Sequence, residues 1–147
     1  MSRVSTYLNF EGNTEDAFNF YKSVFKTEFI GEINRIGGGP TMPGMPELSA
    51  ADKNKIMHIA LPILGGHVIM GTDNLQSMGH PPLVFGTNAS LNLEPDTRAE
   101  TEQLFQALAA GGKTGMPLTD MFWGAYFGYL TDKFGVQWMF NCMEPKK

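Results

Sequence analysis

The chain has 147 residues, 42% of them hydrophobic and 12% aromatic, enough for one compact domain or two half-domains sharing a core. A charged fraction of 18% argues against a disordered tail or a coiled coil, and a net charge of −4 with no basic run beyond Lys146-Lys147 argues against nucleic acid as a partner. No run of about 18 apolar residues is present to cross a membrane. The segment Met1 to Thr6 lacks the apolar stretch of a signal peptide, and the single Cys142 cannot form an internal disulfide, so a cytoplasmic protein is expected.

In chain order, residues 3–10 have strand composition. Asn13 or Thr14 then offers an N-cap, with Glu15 and Asp16 placed to favour the helix dipole. Ala17, Phe18, Phe20, Tyr21, Val24 and Phe25 recur at helical spacing and predict one broad apolar face. A second strand is expected over about 28–36, ended by Gly37-Gly38-Gly39-Pro40. Residues 37–55 read as a long loop, in which Met42 and Met45 suit a lid closing over something apolar, although a plain loop is the simpler reading.

Residues 56–64 and 67–73 predict a hairpin across Gly65-Gly66, with Leu64 opposite His67 and Leu61 opposite Met70. In that register His58 and His67 point away from Met70. Residues 74–82 form a linker. A strand over 84–94 follows, then a helix over about 97–110 with a Thr97–Glu100 capping box and a Gly111-Gly112 stop. Strands at about 113–121, 125–131 and 136–142 close the chain.

The order is β-α-β-β-β twice, and the two copies echo each other in sequence. Leu8-Asn9-Phe10-Glu11-Gly12-Asn13-Thr14 returns as Leu91-Asn92-Leu93-Glu94-Pro95-Asp96-Thr97. Gly66-His67-Val68-Ile69-Met70 returns as Gly135-Val136-Gln137-Trp138-Met139. A single α+β domain over 1–147 is expected, made of one βαβββ module at 1–75 and a second at 83–147.

Tandem βαβββ modules with Phe20-Tyr21-x-x-Val24-Phe25 on the first helix resemble the vicinal oxygen chelate superfamily of glyoxalase I, extradiol dioxygenases and bleomycin-resistance proteins. Tyr7-Leu8-Asn9-Phe10-x-Gly12-Asn13, Phe122-Trp123-Gly124 and Phe127-Gly128-x-x-Thr131-Asp132-Lys133-Phe134-Gly135-Val136-x-Trp138-Met139-x-Asn141 resemble its PhnB-like group, also labelled 3-demethylubiquinone-9 3-methyltransferase-like. That methyltransferase label finds no support in the residues, which include no Gly-rich strand-to-helix turn of the kind that holds S-adenosylmethionine. The resemblance implies a curved eight-stranded cleft, a homodimer, and in metalloenzymes of the superfamily a divalent ion held by His, Glu or Gln on the first and last strands of each module.

Here those positions fall on Thr6, Ala89, Met70 and Met139, and a one-residue slip offers Tyr7 with Ser90 or Ser5 with Asn88. None provides imidazole, carboxylate or thiolate, so neither metal nor cofactor is expected. His58 is the candidate for a displaced metal site or a general base, against the ordinary reading of a His packed within an apolar strand. Glu11, Glu94, Asp73 and Asp132 read as structural carboxylates at strand ends and turns.

Met70 and Met139 then make the centre apolar and adaptable. Tyr7, Trp123, Tyr126 and Phe127 are candidate aromatic walls, and Asn9, Asn92 or Asn141 candidate polar points. The expected function is metal-free binding of a small apolar or aromatic compound. The alternatives are a glyoxalase- or dioxygenase-type enzyme in which His58 and a carboxylate form a displaced metal site, and a structural or regulatory dimer without ligand.

Overall fold

Alternation of buried and exposed side chains selects the strands, and the helices cover the buried side of each sheet. The computed structural model describes residues 2–39, 43–44 and 47–147. The chain divides into two compact units, Met1–Val84 and Phe85–Lys147. Met42 and Met45, the expected lid residues, lie outside the described residues.

The first unit runs β1 (Thr6–Phe10), α1 (Thr14–Phe25), β2 (Asn34–Arg35), a 3-10 turn, α2 (Ala50–Lys53), β3 (Ile56–Pro62) and β4 (Val68–Asp73). Its sheet has the order β1-β4-β3-β2, with β1 parallel to β4 and the other pairs antiparallel. Ala17, Phe18, Tyr21 and Val24 of α1 are buried against this sheet. Contact is closest at Gly71, where a Cβ would lie 2.5 Å from the Phe18 ring. Gly71 therefore marks the helix side of the sheet, and its neighbours Met70 and Thr72 face the opposite way.

The second unit runs β5 (Leu91–Leu93), α3 (Arg98–Ala109), β6 (Lys113–Asp120), β7 (Tyr126–Thr131) and β8 (Gln137–Cys142), in the order β5-β8-β7-β6. Phe105 of α3 packs on Phe140 at 5.3 Å between ring centroids, and Leu104 and Leu108 flank it. Trp138, Phe140 and Cys142 share that fully buried side. Edge strand β6 is mostly exposed, carries Pro117, and shifts register on both sides of Met116. No helix among the described residues is long and apolar enough to cross a membrane.

Four expectations need correction. The second strand shrinks to Asn34–Arg35, because Gly31 at φ 67 breaks the extended chain and Ile30 keeps a single backbone bond to Ala60. The 37–55 loop contains α2, started by the Ser49 hydroxyl accepting from the Asp52 N–H. The expected 84–94 strand pairs only at Leu91–Leu93. Finally, the hairpin loop has three residues, Leu64–Gly66, with Gly65 and Gly66 both at positive φ and Ile63 N–H bonded to His67 O. Leu61 therefore pairs with Ile69 and Ala60 with Met70, one residue from the expected register.

Carboxylates hold both modules closed. Asn13 makes no side-chain cap to α1. Instead Asp73, at the end of β4, accepts through Oδ1 from Gly12 N–H (2.8 Å), Thr14 N–H (3.1 Å) and the Thr14 hydroxyl (2.6 Å). Its Oδ2 accepts from Ile56 N–H at 2.8 Å. In the second module Thr97 caps α3 as expected, accepting from Glu100 N–H at 3.1 Å, while Glu144 Oε2 accepts from Arg98 N–H at 2.6 Å. Asp132 bonds its own turn through Phe134 and Val136 N–H, and its Oδ2 also accepts from the buried Trp138 indole.

Candidate functional site

Each sheet has one side covered by its helix and one side free of it, and the candidate strand residues other than Tyr126 sort by alternation onto the free sides. In the first unit Tyr7 pairs with Met70 and Asn9 with Thr72, and these four share the side away from α1. Tyr7 is 49% exposed. The corrected hairpin register brings Ala60 beside Met70. His58 pairs with Asn34 on β2, and its ring centroid lies 6.2 Å from that of Tyr7. His58 thus lies on the Met70 side, contrary to the sequence-based register. His67 is elsewhere, its Nε2 bonded to the Thr6 hydroxyl at 2.9 Å.

In the second unit Met139 pairs with Asn92 on one flank and Tyr129 on the other, while Asn141 pairs with Phe127. All lie on the side away from Phe140 and α3. Trp123 sits in the Met121–Ala125 turn between β6 and β7, 46% exposed, where Gly124 adopts φ 96. The Trp123 and Phe127 rings meet edge to face at 6.0 Å, and Phe127 and Tyr129 at 6.3 Å. Tyr129, 43% exposed, lies over Gly115 of β6, and a side chain at Gly115 would occupy the space of its ring. Met116 is the backbone partner of Tyr129, at a shift in register.

Asn141 Oδ1 is buried without a hydrogen-bond partner among the described residues. Tyr129 was missed from the sequence, although the two-residue step from Phe127 to Tyr129 along one strand was the available signal. Tyr126, expected as an aromatic wall, turns to the other side: its hydroxyl donates to Glu102 at 2.9 Å and Arg98 stacks on its ring at 4.5 Å. Burial raises the Tyr126 pKa, reinforced by that bond to a carboxylate.

The rows that correspond to the superfamily's metal positions can now be read from the ladders. Met70 and Met139 are equivalent, each three residues beyond matching hairpin bonds, Ile63 to His67 and Asp132 to Val136. Their first-strand neighbours are Tyr7 and Asn92, not Thr6 and Ala89. Taken by themselves, the first unit offers a phenol and a thioether and the second an amide and a thioether, and neither pair fits a divalent ion of the Zn²⁺, Ni²⁺ or Mg²⁺ kind. Among the described residues no group of three His, Cys, Asp or Glu is placed to hold one.

The 3-demethylubiquinone-9 3-methyltransferase family model matches residues 2–140. Protein YjdN of Escherichia coli (strain K12) is 31% identical, with 97% of each chain covered. Protein PA1353 of Pseudomonas aeruginosa has a crystal structure with a TM-score of 0.79 at 37% identity, covering 97% of this chain and 98% of that one. The PhnB protein of Bacillus cereus gives a TM-score of 0.73 at 30% identity, covering 96% and 99%. A glyoxalase/bleomycin resistance protein/dioxygenase family enzyme of Burkholderia phytofirmans PsJN, at 18% identity, 95% and 98% coverage and a TM-score of 0.61, shares the fold alone.

Proposed function

The chain belongs to the 3-demethylubiquinone-9 3-methyltransferase (PhnB-like) family of the glyoxalase/bleomycin resistance/dioxygenase fold, and on that premise we propose that it binds a small aromatic or apolar compound without a metal ion. One observation carries this reading. The positions that would ligate a cation hold Met70 and Met139, and Met139 is continuous with the Tyr129, Phe127 and Trp123 rings. Flexible thioethers and offset rings on an uncovered sheet side suit a flat apolar ligand. The protein acts as a homodimer in the cytosol, a reducing compartment that its single cysteine suits.

The test uses protein stripped by a chelator and verified metal-free by plasma mass spectrometry. It is titrated with a panel of aromatic compounds while tryptophan fluorescence is followed. Saturable quenching is expected, unchanged by added Zn²⁺, Ni²⁺ or Mg²⁺. Trp123→Ala removes most of the signal change and weakens binding about tenfold, the scale of one aromatic contact. Binding or turnover that appears only on metal addition overturns the reading.

The placement of His58 beside Tyr7 on the Met70 side favours a second reading, a metal-dependent glyoxalase- or dioxygenase-type enzyme with a displaced site. Stoichiometric metal that is lost in His58→Ala would replace the first reading with this one.

A further inference from the structure

The orphaned Asn141 oxygen specifies the ligand more narrowly. Asn141 is the penultimate residue of β8, on the helix-free side of the second sheet, opposite Phe127 and two residues beyond Met139. Phe and Met side chains offer it no hydrogen. Neither the Tyr129 hydroxyl nor the Trp123 indole N–H serves it, since Oδ1 has no partner among the described residues. A buried acceptor in this state raises the energy of the unliganded protein, and a ligand that brings a donor recovers that energy on binding.

The surroundings restrict what the donor can be attached to. The ladder neighbours of Asn141 and Met139 are Phe127, Tyr129 and Asn92, all uncharged. The charged residue paired into this side, Lys113, lies opposite Thr131 at the far end of β7. An ion placed beside Asn141 would lose its hydration with nothing opposite to replace it. The rings of Trp123, Phe127 and Tyr129 step along the strand edge to face, an arrangement that accepts another flat ring. Oδ1 is closed to solvent, so the ligand must displace a neighbouring side chain. Trp123 and Tyr129 are both exposed, and Trp123 stands on the Gly124 turn rather than within a strand, which makes it the ring to move.

We propose that Asn141 is the specificity-determining residue of this site: its Oδ1 accepts from an N–H or O–H on the edge of a neutral planar aromatic ligand, and the same ring without that donor is discriminated against. The proposal rests on the metal-free binding reading.

Indole and benzothiophene separate the two claims, because they have nearly the same shape and differ in the N–H. Quinoline, a ring with an acceptor only, is the third probe. Dissociation constants are measured by heteronuclear NMR titration of the full chain, following side-chain amide and indole signals. Wild-type protein is expected to bind indole at least about fivefold more tightly than benzothiophene or quinoline, the cost of leaving one buried acceptor unpaired. In Asn141→Leu the ratio of indole to benzothiophene falls to about one.

Equal affinity for indole and benzothiophene in the wild type, tighter binding of quinoline, or discrimination that survives in Asn141→Leu overturns the role of Asn141 and leaves aromatic binding standing. Failure of all three probes to bind overturns both. The wild-type comparison decides the matter even if the variant does not fold.

Discussion

Asp73 offers the sharpest test of how the first module is held together. Its carboxylate is 4% exposed and accepts four hydrogen bonds, three on Oδ1 and one on Oδ2. These tie the start of α1 and the start of β3 to the end of β4. Asp73→Ala strands the donors of Gly12, Thr14 and Ile56 in a largely dry site, and each unpaired buried donor costs about 1–3 kcal/mol. Partial relaxation brings the expected total to about 4 kcal/mol, near the upper end for single substitutions. A loss of that size lowers Tm by about 8–16 °C in a chain of this length.

Asp73→Asn separates the two oxygens. With its carbonyl oxygen at the Oδ1 position the amide keeps the bonds from Gly12 and Thr14, but its NH2 then meets the Ile56 N–H donor to donor. About 1–3 kcal/mol is expected, the cost of that one stranded group. Urea unfolding followed by far-UV circular dichroism gives both numbers, and hydrogen exchange at Gly12, Thr14 and Ile56 locates them. A cost below about 1 kcal/mol for Asp73→Ala, or exchange unchanged at those three amides, refutes the account. Fluorescence provides a control, since both tryptophans, Trp123 and Trp138, lie in the other unit.

Gly71→Ala pushes a methyl group into the Phe18 ring, 2.5 Å from Cε1 and 2.8 Å from Cζ. The predicted destabilisation is about 1–3 kcal/mol, restored in part by Phe18→Leu in the same chain, as read from urea midpoints. Glu15 is held below the ordinary carboxylate range by its two hydrogen bonds from Arg35, at 3.0 and 2.7 Å. Its contribution to stability is therefore complete above the unfolded-state pKa and is lost as pH falls through the lower folded value. Glu15→Gln should flatten stability against pH in that acid window by less than about 1 kcal/mol, because both side chains are more than a third exposed. An unchanged slope in acid urea titrations would remove the pair from the account.

Features encoded within one turn were legible in the sequence. The Thr97 cap, the Gly111-Gly112 helix stop and the Asp132 turn all depend on residues a few positions apart. The equivalence of Met70 and Met139 was legible too, because the hairpin bonds preceding them match between modules. The α1 cap was not, since its carboxylate arrives from Asp73 and nothing near Asn13 announces it.

The face of His58 depended on whether Gly65-Gly66 closes a two- or a three-residue loop. Both loops suit glycine at positive φ, and a shift of one residue reverses every side chain. The echo of Asn9 in Asn92 misled in a similar way. Asn92 stands beside Met139, whereas the neighbour of Met70 is Tyr7. Sequence similarity between the copies was strongest in a segment that the ladders do not superpose.

The rim formed by β6 is poorly shaped to take up a strand from another chain. Pro117 has no N–H to offer, and the displaced pairing on both sides of Met116 spoils the even spacing that an incoming backbone would need. A neighbouring molecule finds no continuous template there for zipping on a fifth strand. Association along that border is left to side chains, and crowding the protein does not by itself seed fibrous stacking from it.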